Sequence, residues 1–199
     1  MISWPQQRKE FLRVCRRAIE MGMQVSTGGN LSMRLPKDLF LVKPSGISLY
    51  DLGEQDLLIT DALGETVEGS GKPTKEIGTH LSVYRARTDV GGIVHYHPPY
   101  ATAYAVRGRP IPLLTVHAER ILGMIPIIPP GAEGSEALAS SVQEAFSDPS
   151  VRVVLLASHG ILAAGANLLQ AQNLAELLEE SAKIAYLSER LATTAKDQP

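Results

Sequence analysis

Apolar side chains recur every three or four positions at both ends of the chain and every second position in much of its first half. Over residues 6–22, QQRKEFLRVCRRAIEMG, Phe11, Leu12, Cys15, Ala18, Ile19 and Met21 follow near-helical spacing and predict an amphipathic opening helix. Its polar face is basic but short. The turn-rich Ser26-Thr27-Gly28-Gly29-Asn30 ends the pattern, after which Leu31, Met33 and Leu35 alternate with polar residues as in a strand. LFLVK follows Pro36-Lys37-Asp38 and suggests a hairpin. Lys43-Pro44-Ser45-Gly46 breaks that second strand, and DLLITD and ETVEG are further strand candidates flanking a turn at Ala62-Leu63-Gly64.

Beyond Gly69-Ser70-Gly71-Lys72-Pro73 the period turns helical. In TKEIGTHLSVYRAR, Ile77, Leu81 and Tyr84 share a face, and Pro73 suits a first helical turn. Residues 92–97 read as a strand that Pro98-Pro99 stops, allowing a helix to begin in PYATAYAVRG. Residues 121–128 look β-like, and SEALASSVQEAF looks helical with Ser135 as N-cap. VRVVLLA is a buried strand by its β-branched content, and NLLQAQNLAELLEESAKIAYLSERLA is a long closing helix. Helices at both ends and between strands predict an α/β fold in which helices cover a layered sheet. Several strands follow one another without a crossover helix, so that sheet should be mixed or mainly antiparallel.

Composition narrows the partners. A chain of 199 residues, 44% apolar and 20% charged, suffices for one globular domain spanning 1–199. Net charge is −2 with Lys and Arg scattered, which provides neither a nucleic-acid footprint nor a polybasic membrane patch. Small molecules are the expected ligands. Cys15, the single cysteine, cannot form an internal disulfide and reads as a core thiol in a reducing compartment. MISWPQQRKEF is charged too early for a signal sequence, and no apolar run approaches the roughly 20 residues of a spanning helix. A soluble, cytoplasmic protein is expected.

Candidate chemistry begins with GGIVHYHPPY. Alternation in a strand turns His95 and His97 to the same face, roughly 7 Å apart along the chain, close enough to share one ion. His159, in LLASHGILAAG, directly follows a buried strand, and Gly160 permits a sharp turn or a close approach. Glu76 falls in the first turn of a predicted helix, where the positive end favours its ionised form; it could be a metal ligand, a base or simply a cap. His80, one turn later on the same face, is expected to pack. Thr27-Gly28-Gly29-Asn30, Ser45-Gly46 and Pro73-Thr74-Lys75 offer amides, hydroxyls and an ammonium suited to phosphate, though none has P-loop spacing.

The segments STGGNLS, VKPSGI, VEGSGKPTKEIGTH, GGIVHYH and LLASHGILAAG, in that order, resemble the class II aldolase/adducin family from about residue 8 to residue 192. The resemblance implies a three-layer α/β/α sandwich around a central mixed, mainly antiparallel sheet, a homotetramer with active sites between subunits, and zinc or another divalent ion such as Mn2+, Co2+ or Fe2+. It places the metal ligands at His95, His97, His159 and Glu76, with Glu76 also the base. Phosphate binding falls on Gly29, Asn30, Ser45, Gly46, Thr74 and Lys75, and Lys43 matches a lysine of the epimerases. VHAER resembles an epimerase segment and makes Glu119 a candidate second acid/base, with His117 beside it. Aldolases of the family use tyrosines after the histidine strand and near the C-terminus, and neither TVHAERILG nor LATTAKDQP supplies one.

The implied activity is metal-dependent cleavage of a phosphorylated, L-fuculose-1-phosphate-like ketose to dihydroxyacetone phosphate and an aldehyde. An ion on three neutral imidazoles keeps an open side, so it can polarise the ketose carbonyl and hold the enediolate. The alternatives are an epimerase of the L-ribulose-5-phosphate type, a 3-oxo-tetronate-4-phosphate-type decarboxylase, a methylthioribulose-phosphate dehydratase and a noncatalytic adducin-like module. Intact metal positions weigh against the last.

Overall fold

The computed structural model of the protein describes residues 3–194. Among these, the chain runs α1 (Pro5–Glu20), β1 (Asn30–Leu35), β2 (Leu39–Val42), β3 (Leu58–Thr60), β4 (Thr66–Glu68), α2 (Ile77–Ala86), β5 (Gly92–Tyr96), α3 (Pro99–Val106), α4 (Val116–Leu122), β6 (Ile127–Ile128), α5 (Glu136–Phe146), β7 (Val153–Leu156), β8 (Gly160–Gly165) and α6 (Leu168–Thr194). The strands form one sheet in the order β4-β3-β2-β1-β5-β8-β7-β6. Only β6 and β7 pair in parallel. The other neighbours are antiparallel, so the mixed, mainly antiparallel sheet expected from the sequence is present.

Strand alternation divides the core between two faces. Leu31, Met33, Val94, Tyr96 and Ile161 pack with Phe11, Ala101 and Leu178 of α1, α3 and α6. Ile93, Val154, Leu162 and Ala164 face the other way, against Leu81, Tyr84, Leu138 and Val142 of α2 and α5. Three layers result, and each fully buried Val, Leu, Ile or Phe contributes about 1.5–3 kcal/mol. Cys15 is a free, buried thiol of the first face, and burial pushes its pKa up, as suits an inert core residue.

Three stretches differ from the sequence reading. The helix expected to include Pro73 and Glu76 begins only at Ile77, because Pro73 is instead bridged to Pro44. Residues 121–128 are not one β segment: Thr115 caps α4 by accepting from the Ala118 amide at 3.2 Å, and Gly123, at φ +59, ends it. Only Ile127–Ile128 is strand. GILAAG, whose small residues carry no alternation, forms β8, buried along its whole length.

The glycines before the histidine strand are a packing requirement. A Cβ on Gly92 would lie 2.4 Å from the backbone N and Cα of Leu168, and one on Gly91 would lie 2.4 Å from the Ala166 carbonyl oxygen. Neither obstacle is a flexible side-chain end. Gly92→Ala should therefore destabilise the fold by about 3 kcal/mol, read as a lowered denaturant midpoint with unchanged slope.

Candidate metal centre

His95 lies in β5 between β1 and β8, paired with Asn30 on one side and Leu162 on the other. Its ring is 1% exposed, and Nδ1 donates to the Ile161 carbonyl at 2.8 Å. That bond fixes the tautomer and leaves Nε2 as a bare lone pair, buried and without a hydrogen-bond partner. His97, one residue past the end of β5, donates its main-chain N–H to Gln24 Oε1 at 3.0 Å. His159 sits in the tight β7–β8 turn, next to Ser158 at φ 61, with its own N–H on the Leu156 carbonyl at 3.0 Å. Gly160 is needed there for close approach: a Cβ would lie 2.4 Å from the Tyr96 carbonyl oxygen and 2.7 Å from His97 Cδ2.

The three imidazoles converge, with ring centroids 4.6–5.1 Å apart. One ligand nitrogen from each lies within 4.8 Å of the others. Burial, then the neighbouring His97 and His159, holds the His95 pKa well below the ordinary histidine value. Burial and His159 lower that of His97. Neutral imidazole is the form that binds a divalent ion.

Glu76 completes the cluster. Its Oε2 is 3.2 Å from His95 Nε2 and its Oε1 3.8 Å from His159 Nε2. It occupies the N-cap position of α2 rather than the first turn, and its side chain makes no capping bond. Asn30 Nδ2 instead donates to Oε2 at 2.7 Å. A carboxylate facing the bare Nε2 of a buried neutral histidine sets two acceptors against each other, and an intervening cation resolves that conflict. The donor set therefore fits a divalent metal ion. Behind Glu76, His80 packs as expected: its Nδ1 is 2.7 Å from Ser32 Oγ, which is 2.9 Å from the Tyr84 hydroxyl. Burial lowers the His80 pKa to about 3, so this histidine is neutral.

The loops read as phosphate-binding meet around one cleft of about 300 Å³, which His97, His159 and Glu76 also line. The Pro44–Pro73 bridge is flanked by Ser45 N–H to Lys72 O at 2.9 Å and Thr74 N–H to Lys43 O at 3.2 Å, which sets Ser45 and Gly46 beside Thr74 and Lys75. Gly29, at φ +65, and Gly46, at φ +79, adopt the left-handed backbone that their loops require. Lys43 is buried, and its Nζ donates to the carbonyls of Thr27 at 3.1 Å and Pro44 at 3.4 Å. Burial lowers its pKa, and an anion in the cleft would favour its charged form. A larger groove of about 620 Å³ runs past Met21, Tyr100 and Leu177, but the histidines do not line it.

Glu119 does not join this cleft within the chain. It is exposed on α4, as are His117 and Arg120 beside it. The tail beyond residue 194, part of LATTAKDQP, lies outside the described residues. Two contributors escaped the sequence reading. Gln24 ties the Gly28–Gly29 loop to His97, and no local pattern marks it. Glu133 lines the cleft with its Oε1 3.8 Å from His159 Nε2, and its only signal is a glycine-flanked loop, GAEG.

Three histidines and a carboxylate converge beside turn-rich loops on a mixed α/β/α sheet, a donor set that fits a divalent ion. Residues 9–186 match the family model described as Class II Aldolase and Adducin N-terminal domain, and the chain belongs to that family. It is 32% identical over 182 residues to an L-fuculose phosphate aldolase of Methanococcus maripaludis, covering 92% of this chain and 97% of that one. It is 31% identical over 185 residues to a 3-oxo-tetronate 4-phosphate decarboxylase of Escherichia coli, covering 90% and 86%. A solved L-fuculose 1-phosphate aldolase matches with a TM-score of 0.88 at 32% identity, over 96% of this chain and 89% of the other.

Proposed function

We propose that the protein is a metal-dependent aldolase that reversibly cleaves a phosphorylated ketose, L-fuculose 1-phosphate or a close analogue, into dihydroxyacetone phosphate and an aldehyde. The observation that carries this reading is the shared cleft, which His97, His159 and Glu76 line together with the three phosphate-type loops. His95, His97 and His159 hold the ion, zinc by preference, with Mn2+, Co2+ or Fe2+ also compatible with the donors. When bound, that ion supplies Lewis-acid polarisation of the ketose carbonyl.

The chain supplies the rest. Gly29, Asn30, Ser45, Gly46, Thr74 and Lys75, with Lys43 at the floor, bind the phosphate and so place the reacting carbon beside Glu76. Asn30 holds Glu76 Oε2, leaving Oε1 to exchange a proton with the carbon next to the carbonyl. Glu119 acts as a second acid/base toward a neighbouring subunit of a homotetramer. Exposed Leu114, Val116 and Met124 around it support an interface there, Val116 being 84% exposed.

Lys75 at the cleft and the 31% identical decarboxylase relative favour a second reading, decarboxylation of a phosphorylated 3-oxo acid. Incubating metal-loaded protein with a panel of ketose 1-phosphates and 4-phosphorylated 3-oxo acids separates the two, with products identified by mass. Dihydroxyacetone phosphate with an aldehyde is the expected outcome. Carbon dioxide from the acids, with no cleavage of any ketose, would replace the first reading by the second.

A further inference from the structure

We propose that Glu133 selects the end of the substrate remote from the phosphate, favouring hydroxyl-bearing or cationic groups there and excluding carboxylates. The inference rests on the phosphate-and-metal reading of the cleft given above. It also goes beyond that reading, because it names the chemistry of the half of the substrate that the phosphate loops do not touch.

The charge layout of the cleft is the first argument. Lys43, Ser45, Gly46, Thr74 and Lys75 line the same cleft as Glu133, whose Oε1 lies on the metal side, 3.8 Å from His159 Nε2. A ligand with its phosphate among the loops and its carbonyl at the histidines extends its remaining carbons toward Glu133. A carboxylate there accepts hydrogen bonds from sugar hydroxyls and repels a second anion.

The position of Glu133 is also built into the fold. Gly134, at φ +72, seats its loop so closely on the phosphate loop that a Cβ would lie 2.5 Å from the Lys75 carbonyl oxygen. Ser135 then caps α5 by accepting from the Leu138 amide at 3.2 Å, and its own N–H donates to the Ala132 carbonyl at 3.0 Å. Glu133 is thus fixed at its backbone on both sides. Its side chain is 64% exposed and takes no hydrogen bond that would hold it away from a ligand. Glu76 already serves as the buried carboxylate of the cluster, which leaves Glu133 for recognition.

The test compares two ligands that differ only at the remote end, erythritol 4-phosphate and erythronate 4-phosphate, by calorimetric titration of metal-loaded protein. Glu133→Gln should improve binding of the acid relative to the alcohol by about tenfold, equivalent to about 1.4 kcal/mol. Glu133→Asp should keep the wild-type ratio, and inorganic phosphate should bind the wild type and both variants alike. Metal content, measured by mass spectrometry, should be the same in all three. An unchanged acid-to-alcohol ratio in Glu133→Gln would overturn the proposal, as would failure of the wild type to bind either ligand. Loss of metal in that variant would also overturn it, by making Glu133 a ligand of the ion. The ratio is read without turnover, so a failure of ketose cleavage would count against the aldolase reading and leave the Glu133 result standing.

Discussion

Replacing His95 or His97 with alanine is expected to weaken divalent-metal binding by more than about a hundredfold, since even supporting groups around a metal commonly contribute 10–100-fold. His95 loses the most. Its Nε2 is the bare, buried lone pair that the Nδ1 bond to Ile161 aims at Glu76. Removing that ring also leaves a void in a strand buried throughout, so His95→Ala can lose stability as well as metal. His97 is only half-buried and lies beyond the last strand residue, which makes His97→Ala the cleaner variant. The measurement is metal stoichiometry after dialysis against a weak chelator, with circular dichroism to verify the fold. Folded His97→Ala protein with full metal content would remove the three-histidine centre from consideration.

Glu76→Gln is expected to lower kcat by about 10²–10⁴-fold, the usual contribution of a positioned acid/base group. The substitution keeps an oxygen for Asn30 Nδ2 to donate to, so local packing should survive. KM for the phosphorylated ketose should change far less, because the substitution leaves the amides, hydroxyls and ammonium of the phosphate loops in place. A large rise in KM with kcat intact would assign Glu76 to binding alone.

How much of this was legible follows from the range of each signal. The period of two put His95 and His97 on one face, and Gly160 after an apolar strand marked His159; the structure brings all three together. Phosphate-type loops were visible as turn chemistry, but their meeting depends on the Pro44–Pro73 bridge between residues far apart in sequence. Glu76 was ambiguous between cap and ligand because its position near a helix start suits either. The structure shows that no capping bond forms. β8 was missed because a strand buried on both faces has no alternation to read. Glu133 and Gln24 lie in loops, and their links to His159 and His97 join residues far apart in sequence, which no local pattern announces.

The Pro44–Pro73 pair acts as a clasp between two loops far apart in sequence. Neither proline has an N–H, and this rung needs none, because its bonds run from Ser45 N–H to Lys72 O and from Thr74 N–H to Lys43 O on either side of the pair. Continuing the antiparallel register of that bridge would set Gly46 against Gly71 and Lys75 against Val42, so those two cleft residues lie on opposite sides of the clasp. Two rings that ask nothing of each other's N–H groups can thus sit back to back at the crossing, while Ser45, Gly46, Thr74 and Lys75 still front the cleft.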